Sequence, residues 1–138
     1  MQKQLWKTLG LLAALLATST ALGQSNRGDT IADIPFAFTV ANLTFPAGRY
    51  TLTRLGETTL RISNRHNQGT VVLTHAAEGK APDSKGKMVF HRYGDAYFLS
   101  EVWVAANGTG RKVFQSRAEE ELSRKRIEMQ IALLQIAR

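Results

Sequence analysis

Three histidines, eleven acidic residues and no cysteine are the raw material for chemistry in this 138-residue chain. His66, His75 and His91 stand too far apart for an H-x-H or H-x₃-H chelate, so no local metal site is written. Separate strands would have to converge His75, Glu78 and His91 to hold a cation; ordinary surface histidines are the simpler reading. A nucleophilic serine is no easier to find, because there is no G-x-S-x-G elbow and no legible triad. Asp95 and Glu101 could pair as glycosidase carboxylates do, yet a turn explains the first and a strand's solvent side the second. Gly108-Thr109-Gly110 leads into a strand, not the helix N-terminus that a phosphate site needs. No catalytic residue, metal or cofactor is expected, and the reading is of a protein that is not an enzyme.

Aromatic chemistry is better represented. Phe90, Tyr93, Tyr97, Phe98 and Trp103 fall within fourteen residues, with Arg92 among them. Tyr93, Tyr97, Trp103 and Arg92 could form a platform that stacks on a sugar or another planar ligand. Cross-strand packing within a hairpin explains the same cluster more simply.

The elements that must carry these residues are mostly strands. Ile34, Phe36, Phe38 and Val40 alternate with smaller or polar residues, as do Tyr50 and Leu52, then Leu60 and Ile62. Phe45-Pro46-Ala47-Gly48 and Gly56-Glu57 are turns, residues 64–69 form a polar loop, and residues 77–87 form the longest loop. Strong strand signals return at 88–92 and 97–104, joined by Gly94-Asp95 in type II′ geometry; Asn107-Gly108 starts another hairpin into 112–114. About seven short strands with hairpin connections predict an antiparallel sandwich or small barrel.

The period then changes. Ser116-Arg117-Ala118-Glu119 fits a capping box, Glu119, Glu120 and Glu121 suit the first turn, and Glu120–Arg124 and Glu121–Lys125 are favourable pairs. These signals predict one helix over 117–138, about 33 Å long. It would carry two apolar stripes: Leu122, Met129, Leu133 and Ile136 on one side, and Ile127, Ile131 and Leu134 nearly opposite. Leu122, Met129 and Leu133 are expected to dock on the core. Ile127, Ile131 and Leu134 then need another cover, and a second copy of the chain is one candidate.

The N-terminus bears on location. Lys3 and Lys7, an apolar run over 9–17, and Ala21-Leu22-Gly23 make a secretory signal cleaved before Gln24. The run is about half the roughly 20 residues a spanning helix needs. Removing residues 1–23 leaves one domain of 115 residues, with 16 basic against 11 acidic side chains and a formal charge of +5. An exported domain without disulfides must be stabilised by packing. Its positive charge suits an anionic glycan or lipid surface, and export argues against nucleic acid. Arg27-Gly28-Asp29, the sequons at Asn42 and Asn107, and the basic triplet 124–126 carry little weight as short matches.

The runs I-P-F-A-F-T-V (34–40), F-P-A-G-R-Y (45–50) and F-H-R-Y-G-D-A-Y-F-L-S-E-V-W (90–103) resemble small secreted proteins common in acidobacterial genomes. The resemblance covers about residues 34–121. It implies an exported small β domain and supplies no activity, cofactor or catalytic residue. Together these observations lead to a periplasmic or extracellular interaction module. It would pair with itself or another envelope protein through Ile127, Ile131 and Leu134. The alternative is a small-ligand or glycan-binding β domain using Tyr93, Tyr97, Trp103 and Arg92.

Overall fold

A computed structural model describes residues 29–79, 86–104 and 109–136. The expected leader at 1–23, most of the loop at 77–87 and the Asn107-Gly108 turn lie outside the described residues. The chain runs β1 (Thr30–Ile34), β2 (Phe38–Val40), β3 (Leu43–Phe45), β4 (Gly48–Arg54), β5 (Thr59–Asn64) and β6 (Gly69–Ala76). It continues through β7 (Gly86–Tyr93), β8 (Ala96–Trp103), β9 (Gly110–Val113), α1 (Arg117–Arg124) and β10 (Met129–Ile136). Among the described residues the fold is mainly β, as the period-two patterning predicts, with one helix near the C-terminus.

Strand order gives the architecture. β1, β4, β5 and β6 form one antiparallel half, and β6, β9, β8, β7 and β10 form the other. The two halves share β6, so they fold over one core as a sandwich joined on one side. On the opposite side β1 approaches β10, but no ladder joins them among the described residues. The small β2–β3 hairpin meets β8 in parallel at Thr39 and Phe98.

The additional strands have local causes. Pro35 lacks the amide that a ladder needs, and the 34–40 run divides there between β1 and β2. Ala41 and Asn42, both at positive φ, close the β2–β3 hairpin in a two-residue turn. Gly94 alone takes φ +60° in the Gly94-Asp95 turn, as the first position of a type II′ turn requires.

Alternation fills the interior. Ile34, Phe38, Val40, Tyr50, Leu52, Leu60, Ile62, Met88, Phe90 and Val102 are all buried in one cluster. Phe38 stands at its centre, edge-on to Tyr50 at 5.1 Å and to Phe90 at 5.8 Å. Tyr50 keeps its hydroxyl satisfied by donating to the Pro46 carbonyl, so its ring can be buried without an orphan polar atom. Burying each large apolar side chain contributes about 1.5–3 kcal/mol before the cost of ordering it.

The predicted helix over 117–138 is corrected. α1 starts where expected: the Ser116 hydroxyl accepts from Glu119 N at 3.2 Å. It ends at Arg124, and Arg126 turns the chain in a left-handed conformation at φ +56°. Residues 129–136 then pair with β7 over eight positions, from Met129↔Tyr93 to Ile136↔Gly86. An eight-residue ladder over a core outweighs helix propensity, which differs by under about 1 kcal/mol per residue among ordinary side chains.

Candidate interaction surface

The change from helix to strand re-sorts the C-terminal apolar residues. On β10 they alternate: Ala132 and Leu134 pack against the core and Ile136 is buried, while Met129, Ile131 and Leu133 face outward. Ile131 is 63% exposed and Leu133 65%. Ile127, just before the strand, and Ile31 of β1 are also exposed. Of the expected partner-binding stripe, Ile127 and Ile131 stand in the open as anticipated, whereas Leu134 turns inward. Of the three residues expected on the core, Leu122 is half-buried, and Met129 and Leu133 are exposed. No helical stripe exists to mediate a dimer; the outer face of a strand stands in its place.

β10 is also an edge. Among the described residues β7 is its one ladder partner. Native sheets usually protect such an edge with Lys, Pro or a bulge. From Met129 to Ile136 the strand has neither charge nor proline and its pairing with β7 is regular throughout; the approach of β1 is what stands beside its free edge.

The helix that precedes β10 is held by a buried polar cluster. Glu119 is 3% exposed, and its Oε1 lies 2.6 Å from His91 Nδ1 and 3.2 Å from the donating Tyr93 hydroxyl. The capping box is therefore only half realised: Ser116 receives the Glu119 amide, while the Glu119 carboxylate turns to β7. Burial, the Glu119 charge and the hydrogen bond to it all push the Tyr93 hydroxyl above its usual range. From the β2–β3 turn, Asn42 Oδ1 accepts from Arg117 N at 3.1 Å. These two contacts tie α1 to β7 and to the β2–β3 turn. Sequence reasoning missed the Glu119 cluster because nothing in spacing links residues 28 positions apart.

The aromatic platform is divided between two faces. Tyr93 is buried, edge-on to Phe98 at 5.8 Å and bonded to Glu119. Trp103 is buried too; its Nε1 donates to Glu101 at 2.8 Å, and the Lys87 ammonium sits 5.4 Å from its ring. Tyr97 belongs to the other face, stacked on Phe36 at 3.9 Å with the Arg92 guanidinium 5.4 Å from its ring. Arg92 also donates to the Gly94 carbonyl at 2.7 Å. Of the four expected platform residues, Arg92 and Tyr97 thus stay together, while Tyr93 and Trp103 are buried in other contacts.

The other chemistry is dispersed. Glu101 is engaged by Trp103, and Asp95 lies in the β7–β8 turn. The His75 ring lies 4.7 Å from Phe114, and His91 is held by Glu119. Among the described residues no three His, Asp or Glu side chains are grouped to hold a metal ion. No family model, curated protein or solved structure matches this chain.

Proposed function

We propose that this protein is an exported, non-enzymatic module that assembles with copies of itself through the outer face of β10. The observation that carries this reading is the exposure of Ile131 and Leu133 together on the outer face of β10. Burying what each now exposes contributes about 1–2 kcal/mol. A second copy is the favoured occupant because the strand carries no charge on which a charged partner would select. The chain is basic overall, so an uncharged contact also lets two like-charged copies meet at least cost. The leader-like pattern at 1–23 supports export.

Amide hydrogen exchange tests the reading at residue level. Protection across residues 129–136 rises with protein concentration if copies meet there. Protection that is unchanged over the full accessible range overturns the proposal.

A further inference from the structure

We infer that the protein has a second contact surface, the outer face of β6 and β9, which docks on an anionic lipid bilayer. Alternation builds this face. Val72 and Thr74 are buried, so Val71, Leu73 and His75 of β6 point away from the core. Val71, Leu73 and, just past β9, Phe114 are each more than half exposed. The Phe114 ring lies 4.7 Å from that of His75, two positions along β6 from Leu73, so the three apolar side chains share one patch.

Cations flank the patch on both neighbouring strands. Residues directly opposite in an antiparallel ladder point to the same side. Arg61 of β5 stands opposite Val71, and Lys112 of β9 stands opposite His75. Arg61 donates to the Asn67 side-chain oxygen, but among the described residues neither cation is in an ion pair. Glu101 is the carboxylate across from Lys112, and it already receives the Trp103 indole N–H. Glu57 lies in the turn between β4 and β5.

Charge and area together select the occupant. The outer face of β10 is uncharged and suits a second copy of a basic chain; a face rimmed by two cations does not. Val71, Leu73 and Phe114 leave roughly 300 Å² of apolar surface open, short of the roughly 800 Å² per partner of a standard protein interface. A bilayer sets no such threshold, because binding grows with the apolar area inserted and with the attraction of each cation to anionic headgroups. A soluble polyanion would use Arg61 and Lys112 and leave Leu73 and Phe114 idle. An anionic bilayer uses all four.

Co-sedimentation of the purified protein with vesicles tests the inference, comparing phosphatidylglycerol mixed into phosphatidylcholine with phosphatidylcholine alone. The protein should bind the anionic vesicles more tightly, and less so as salt is raised. Leu73→Gln and Phe114→Gln should each weaken binding about tenfold. Lys112→Gln and Arg61→Gln should each weaken it about fivefold. Leu43→Gln removes an apolar side chain exposed on β3 instead and should change nothing. Equal binding to both vesicles that ignores Leu73→Gln assigns insertion to the apolar run at 9–17 and overturns the inference. Binding that follows the two cations but ignores Leu73 and Phe114 marks a polyanion site and overturns it too. So does the absence of binding to anionic vesicles. None of these outcomes bears on assembly through β10.

Discussion

The Glu119 carboxylate and His91 Nδ1 meet at 2.6 Å across the junction of α1 and β7, with the Glu119 side chain only 4% exposed. Tyr93 shares the same carboxylate oxygen, so one residue satisfies two partners on the sheet. Replacing Glu119 by Ala deprives both groups of their acceptor and should cost about 2 kcal/mol. Replacing His91 by Ala leaves the carboxylate buried beside the Tyr93 hydroxyl and should cost more, about 3 kcal/mol. Chemical denaturation measures both. Losses below about 0.5 kcal/mol, the range of ordinary surface substitutions, would show that the cluster does not hold the helix.

Alkali should weaken the fold through tyrosine. Burial raises the Tyr50 hydroxyl, and burial with the Glu119 charge raises that of Tyr93. A group whose proton is held more tightly in the folded state stabilises fully below its unfolded pKa, about 10 for tyrosine. That stability is lost as pH rises through the higher folded value. Melting temperature should therefore fall above about pH 10, and less steeply in Tyr93→Phe. An identical pH slope in the variant would contradict the assignment.

Trp103 leaves no room for a side chain on Gly110. A Cβ there would lie 2.6 Å from ring carbons Cδ2 and Cε2 of the indole, and the ring is itself buried. Gly110→Ala should destabilise the domain by about 1–3 kcal/mol, the cost of overpacking. Gly56, which has open space around it, supplies the control: Gly56→Ala should be milder in the same thermal melt.

The proposed export makes a covalent prediction. Protein recovered outside the cytoplasm should begin at Gln24, as N-terminal sequencing would show. Recovery with Met1 still attached would remove the leader from the account.

The strands of the core were legible because burial imposes alternation: Tyr50 and Leu52, or Leu60 and Ile62, face one way wherever one face meets the core. The C-terminus was not, and the reason lies in the same residues. Apolar groups on both faces of β10 look like two opposed stripes when plotted at helical period. Ser116, Glu119 and the acidic first turn start a real helix, and no Gly or Pro after it marks the stop. The stop is a left-handed Arg126, a conformation that Arg does not advertise. The partnership of Glu119 with His91 and Tyr93 was equally hidden, since only the docking of α1 on β7 brings them together. Exposure of Ile127 and Ile131 was anticipated, although a strand presents Ile131 in place of the expected helix.

The central claim is assembly through β10, and the molar mass of the purified protein by light scattering over a range of concentrations tests it most directly. The account predicts a dimer that dissociates on dilution, and a monomer for the Ile131→Lys, Leu133→Lys double variant. At dilutions where the unmodified protein is monomeric the variant should melt with it, because neither side chain supports the core and only the associated form gains stability by mass action. A monomer at every concentration, or a dimer that survives both substitutions, would contradict the account.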